Sequence, residues 1–141
     1  HASGGSAMIA AAVAAGPEIA ITAVTILTSL NDRDLTEIGF ESGAKDQATK
    51  LSILAAQNGA RAIVCSPLEI ESIRKVVPTN VSIITPGIRP QTDPHIDDQK
   101  RTMTPAAAIA AGANYLVIGR PITGAADMGA AAKAIYEETL S

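Results

Sequence analysis

Aromatic residues are almost missing from this chain, with one Phe, two Tyr and no Trp in 141 residues. That removes the platforms on which single-stranded nucleic acids stack and leaves the core to Ala, Ile, Val and Leu. Cysteine is nearly absent too. The single Cys65 excludes an internal disulfide and fits a reducing, cytoplasmic setting. No sign of charge dominates: 11 Lys and Arg against 14 Asp and Glu give a net charge of −3. These charges are scattered, which argues against nucleic acid or a membrane surface as the main partner. No Gly-x-Ser-x-Gly motif and no Walker-type phosphate loop occurs, and no nucleophile–base pair stands out.

The longest apolar stretch, Met8 to Leu27, is interrupted by Gly16-Pro17-Glu18. A proline and a charge at bilayer depth are costly, so a helix followed by a strand explains it better than a membrane span. No basic region precedes it, as a signal peptide would require. The chain begins at His1 rather than Met, so a processed product, a fragment or an excerpt is expected.

Apolar residues make up 47% of the chain, at the length of one ordinary domain. Four runs have the near-continuous apolar character of strands buried on both faces of a parallel sheet. They are Ile19–Leu27, Ala62–Cys65, Val81–Thr85 and Tyr115–Gly119. Helical patterns alternate with them. Ser6–Ala15 is Ala-rich and stops at Gly16. Lys45–Asn58 places Ala48, Leu51, Leu54 and Ala55 on one stripe and stops at Gly59. Ser66-Pro67-Leu68-Glu69 has the form of a capping box with Pro at the first helical position, opening a helix to about Val76. Thr104-Pro105 repeats that start signal and Gly112 stops the helix, while Asp127 caps a last helix running to about Leu140. "GARAIVCSP" and "GANYLVIGRP" both read as a helix stop, Gly-Ala, then a strand. The alternation predicts a parallel α/β architecture with right-handed crossovers.

In such folds ligands bind beyond the carboxyl ends of the strands. Two of the four ends carry Gly and Arg together: Pro86-Gly87-Ile88-Arg89-Pro90 and Gly119-Arg120-Pro121. Gly lets a backbone approach a ligand closely, and N–H groups beside a guanidinium suit a phosphate. The competing reading is an ordinary turn with an exposed Arg. Between these ends, Gln91 to Thr102 forms a long polar loop. His95 with Asp93, Asp97 or Asp98 matches no standard metal spacing, so no metal is expected. Cys65, at a strand end, reads as a small buried hydrophobe.

Six motifs together resemble bacterial-type orotidine 5′-phosphate decarboxylases. They are "HASGG" (1–5), "AVTILTS" (23–29), "VCSP" (64–67), "TPGIRP" (85–90), "DQKRTMTP" (98–105) and "VIGRPIT" (117–123). They occur in the family's order across essentially the whole chain, and "TPGIRP" followed by "VIGRPIT" is the specific part. The resemblance implies a TIM-type (β/α)8 barrel that converts orotidine 5′-monophosphate to uridine 5′-monophosphate without cofactor or metal. It implies that Thr28 supplies the hydroxyl that contacts the pyrimidine and that Pro86 lines the base pocket. Arg89, Gln99, Gly119 and Arg120 match positions that bind substrate, the last three mainly at the phosphate, with Arg89 at the mouth. The loop around His95 to Gln99 would be the lid that grips the phosphate.

One departure from the family is large. Its Asp-x-Lys-x-x-Asp array, with a further Lys and Asp upstream, alternates carboxylate and ammonium groups beside the scissile carboxylate and protonates the carbanion. Here Asp98-x-Lys100 is followed by Arg101-Thr102-Met103, so the array is absent and no catalytic residue is assigned. In the family "HASGG" marks the end of strand four. Residues 1–141 would therefore be the C-terminal half-barrel, strands five to eight, and would need the N-terminal half. Such a half leaves two open edges and an exposed inner face, to be covered by the missing half or a second copy. A homodimer is the family default. Two alternatives stand beside this reading: a sugar-phosphate decarboxylase or hexulose-phosphate synthase of the same superfamily, and a non-catalytic half-barrel that binds phosphate compounds.

Overall fold

The computed structural model describes residues 1–90 and 101–140. After a 3-10 turn at Ala2–Gly4 the elements follow in the order α1 (Gly5–Ala15), β1 (Thr22–Val24), α2 (Asp32–Glu37), α3 (Ala44–Gln57), β2 (Ala62–Val64) and α4 (Ile70–Arg74). The order continues with β3 (Ser82–Thr85), α5 (Pro105–Ala110), β4 (Tyr115–Leu116), α6 (Arg120–Thr123) and α7 (Met128–Glu138). The strands form one sheet in the order β1-β2-β3-β4, every pair parallel. The expected α/β alternation is therefore present, with each strand neighbouring the next in sequence.

Local chemistry explains the boundaries. Asp127 and Thr104 accept from the backbone N–H groups of Ala130 and Ala107 and so cap α7 and α5. Both halves of the Ser66–Glu69 capping box form. The Pro67–Glu69 segment is a 3-10 turn, and α4 ends at Arg74 rather than near Val76. The two Gly-Ala stops are built alike. Gly59 (φ 91) and Gly112 (φ 107) enter the left-handed region. The next residue then reaches back over the helix end, Ala60 N–H to Ala55 C=O and Ala113 N–H to Ala108 C=O. A Cβ at Gly112 would meet Arg74 Cγ at an ordinary 3.6 Å, so the penalty there is conformational. Gly112→Ala is expected to lower stability by about 1–2 kcal/mol in a denaturant titration.

The strands are shorter than their apolar runs. Thr25 N–H still donates to Val64 C=O, but Ile19, 64% exposed, lies in a turn before β1. At the far edge Val117 N–H donates to Thr85 C=O beyond the last paired residue of β4. An edge strand has a partner on one side only, which shortens its ladder. A helix outside the expected elements, α2, is capped by Asn31 and Asp34 in a reciprocal box.

Side chains of strand residues two apart share a face. The row Ala23–Ile63–Ile83, in register across β1, β2 and β3, is buried under the helices with Ala48, Leu51 and Ala55 of α3 and Ile70 and Ile73 of α4. The next row, Val24–Val64–Ile84–Tyr115, points the other way and lies outside that core. Its first three members are half-buried, Tyr115 is 61% exposed, and Val117 beyond it is 52% exposed. The expectation of burial on both faces is therefore corrected: helices cover one face, and the other is an open apolar surface. Arg74 and Asn114 lock the far edge. Asn114 Oδ1 accepts from Ile83 N–H and from Arg74 Nη2, each at 2.8 Å, while Arg74 Nη1 donates to Val81 C=O.

Candidate functional site

Because the strands are parallel and consecutive, their carboxyl ends lie along one rim. Five of the six expected site residues are described, and all five follow strand ends on that rim. Gln99, together with Asp93, His95, Asp97 and Asp98 of the loop, lies outside the described residues.

Thr28 sits in a turn after β1 that Leu30 N–H closes onto Leu27 C=O, and it is 7% exposed. Pro86 and Arg89 follow β3, half-buried, around Gly87, whose φ of 77 carries the chain through the turn. That turn is held from outside: Arg89 N–H donates to Met103 C=O at 3.0 Å, and Met103 N–H donates to Gly87 C=O at 3.3 Å. The Arg89 guanidinium donates to Ile88 C=O at 2.7 Å. Gly119 and Arg120 follow β4 and are exposed. The Gly-Arg-Pro segment is not a plain turn, as one reading expected. Gly119 is the N-cap of the four-residue α6, with Pro121 in its first turn, and its carbonyl accepts from Ile122 and Thr123 N–H. Nothing lies within 4 Å of where a Cβ on Gly119 would sit, so the backbone there is open to approach.

At the centre of the rim lies an ion pair that sequence reading does not find. Arg101 Nη1 donates to Glu69 Oε1, and Arg101 Nη2 donates to Leu27 C=O at 2.8 Å. The second Glu69 oxygen accepts Ser66 N–H at 2.9 Å, completing the capping box. Glu69 is 0% and Arg101 9% exposed. Burial pushes the Glu69 carboxyl above its ordinary value, opposed by Arg101 and by the Ser66 N–H. Glu69 is legible in the sequence as a capping residue, but nothing local marks the partner 32 positions away.

Cys65 is 1% exposed, the small buried hydrophobe expected of it. Burial, with Glu69 adding to it, pushes its thiol up from 9.0 to about 12. The folded thiol keeps its proton where the unfolded one loses it, so this group's contribution to stability falls as pH rises from 9.0 toward about 12. The expected loss is about 1.4 kcal/mol per pH unit in that window. Denaturant midpoints measured across it should show the loss, and Cys65→Ala should flatten it.

Among the described residues no group of three or more His, Cys, Asp and Glu could hold a metal ion, and no helix is long and apolar enough to cross a membrane. A shallow hollow lined by Ser6, Lys50, Gln57 and Asn58 lies in the helix layer and not at the strand ends.

A decarboxylase named orotidine 5′-phosphate decarboxylase from Thermobifida fusca is 51% identical over 138 residues, which are 98% of this chain and 59% of that protein. One of the same name from Frankia casuarinae is 47% identical over 96% of this chain and 49% of its own length. The crystal structure of orotidine 5′-phosphate decarboxylase from Lactobacillus acidophilus superposes with a TM-score of 0.82 at 33% identity, covering 100% of this chain and 62% of that one. The chain thus spans about half to three fifths of the length of the curated relatives it matches. The family model described as Orotidine 5′-phosphate decarboxylase / HUMPS family matches residues 1–135, and the chain belongs to that family.

Proposed function

We propose that this chain supplies the phosphate- and base-binding part of an enzyme that decarboxylates orotidine 5′-monophosphate to uridine 5′-monophosphate in pyrimidine synthesis. The observation that carries the reading is the gathering of Thr28, Pro86, Arg89, Gly119 and Arg120 at the carboxyl ends of consecutive parallel strands. In the proposed roles Thr28 and Pro86 face the pyrimidine and Arg89 stands at the mouth. Gly119 and Arg120, joined by Gln99, hold the phosphate. A guanidinium beside an open glycine backbone gives the charge and the N–H donors that a phosphate dianion needs. Binding energy gained at that remote group would then assist chemistry at the base.

The open row Val24–Val64–Ile84–Tyr115 and the outer edges of β1 and β4 are the surface on which a complementary half-barrel would close. The four strands would be strands five to eight, and the residues that break the bond would come from the other half. The assembled enzyme would be a cytoplasmic homodimer. The decarboxylase reading is preferred over a sugar-phosphate enzyme because the relatives nearest half identity carry the decarboxylase name.

Calorimetric titration tests this reading. The chain is co-refolded with the remainder of the Thermobifida fusca relative and titrated with uridine 5′-monophosphate and with uridine. Binding of the monophosphate at least about tenfold tighter than the nucleoside is expected, a difference of about 1.4 kcal/mol. Equal affinity for both, or none for either, would overturn it.

A further inference from the structure

We propose that the buried Glu69–Arg101 pair is a positioning device for the base-facing part of the rim, fixing the Thr28 turn and the Gly87–Arg89 turn relative to one another. The proposal deepens the nucleotide reading above and rests on it for the roles of those turns.

Three strand ends meet at this pair. Leu27 C=O, the group immediately before Thr28, accepts both Arg101 Nη2 at 2.8 Å and Leu30 N–H at 3.1 Å. Glu69 carries the link to the end of β2 through Ser66 N–H. Two residues beyond Arg101, Met103 exchanges backbone hydrogen bonds with Gly87 and Arg89, around an Ile88 that is 0% exposed. A segment of three residues therefore ties together the turns that follow β1, β2 and β3. Gly119 and Arg120 are carried differently, on β4, whose last link to β3 is Val117 N–H to Thr85 C=O, before the Gly87 turn.

The chemistry of the pair favours placement over stability. A buried ion pair is seldom more stabilising than an apolar plug of the same volume, because both charges lose their hydration. Here the cost is not fully offset: Arg101 Nε is buried without a hydrogen-bond partner among the described residues. What an arginine provides that an apolar residue cannot is direction. Its planar fork holds a carboxylate and a carbonyl at fixed angles at once, and the carbonyl is the one that leads into Thr28.

Amide hydrogen exchange on the full chain is the test. Two variants are compared: Arg101→Met, which keeps the apolar stem, and Glu69→Gln, which keeps an acceptor for Ser66 N–H. Both are expected to speed exchange at Leu30, Arg89 and Met103 by about tenfold or more, while Ala60 and Ala113 at the opposite end of the sheet keep their rates. Acceleration spread evenly over all five amides would mean a merely structural role and overturn the proposal, as would no change. If Arg101→Met does not fold, Glu69→Gln decides alone. In the co-refolded protein the same variants are expected to weaken uridine 5′-monophosphate about tenfold and ribose 5-phosphate clearly less, because Gly119 and Arg120 keep their places on β4 and α6. Equal weakening of both would contradict the assignment to the base-facing turns. Failure of the unmutated protein to bind the nucleotide would instead sink the nucleotide reading, and the exchange pattern would still decide whether the pair positions the two turns.

Discussion

The 141-residue chain by itself is expected to turn over no orotidine 5′-monophosphate above the uncatalysed background, and to do so once the remainder of the Thermobifida fusca relative is supplied. In the proposed reaction a cation would neutralise and protonate the carbanion left on the ring, the role that the resemblance gives to the family's Asp and Lys array. No Asp-x-Lys-x-x-Asp array occurs in the sequence. The nearest fragment, Asp98-x-Lys100, runs into Arg101, which is buried against Glu69 and committed to Leu27 C=O. The contrast should be large, since enzymes exceed their uncatalysed reactions by about a millionfold or more. Carbon dioxide release assayed on each polypeptide alone and on the mixture measures it. Turnover by the 141 residues alone would contradict the claim that the bond-breaking groups lie elsewhere.

The second large effect is at Arg120. In the assembled enzyme, Arg120→Ala is expected to raise KM for orotidine 5′-monophosphate by about 10- to 100-fold, the range for losing a charge-assisted hydrogen bond. The side chain is exposed on α6 and outside the core, and the denaturation midpoint of the variant, measured alongside, separates a loss of folding from a loss of binding. The bare nucleoside orotidine should be processed as poorly by the variant as by the parent. A variant that loses nucleotide and nucleoside equally would show that Arg120 does not act on the phosphate. Steady-state kinetics on both substrates gives the comparison.

How much of this was legible beforehand follows from the range of each interaction. The caps of α5 and α7, the Ser66–Glu69 box and the Gly59 and Gly112 stops depend on residues within a few positions, and the sequence displays them directly. The signal for α2 was equally local: Asn31 and Asp34 stand three apart, with Asp in the place more often filled by Glu. Pro121 marks the first turn of α6, but only four helical residues follow Gly119, too few to display a helical period. Strand length was not legible, because a strand ends where its neighbour ends. Ile19 and Ile118 have β-forming side chains, but both lie outside the ladders. Nor does an apolar run reveal which face is covered. Val64 and Ile63 look alike in sequence, yet Ile63 is 0% exposed in the core and Val64 faces the open side. The Glu69–Arg101 pair joins distant segments and leaves no spacing to read. For the site, Gly and Arg at strand ends pointed to a phosphate, but only the family resemblance made that phosphate part of a pyrimidine nucleotide.

A crystal structure of the co-refolded protein with uridine 5′-monophosphate would show whether the strand-end rim of this chain grips a pyrimidine nucleotide. The phosphate is expected within hydrogen-bonding distance of the Arg120 guanidinium and the Gly119 backbone, with the pyrimidine toward Thr28 and Pro86. A nucleotide bound elsewhere, or bound at the rim with its phosphate turned away from Gly119 and Arg120, would contradict it.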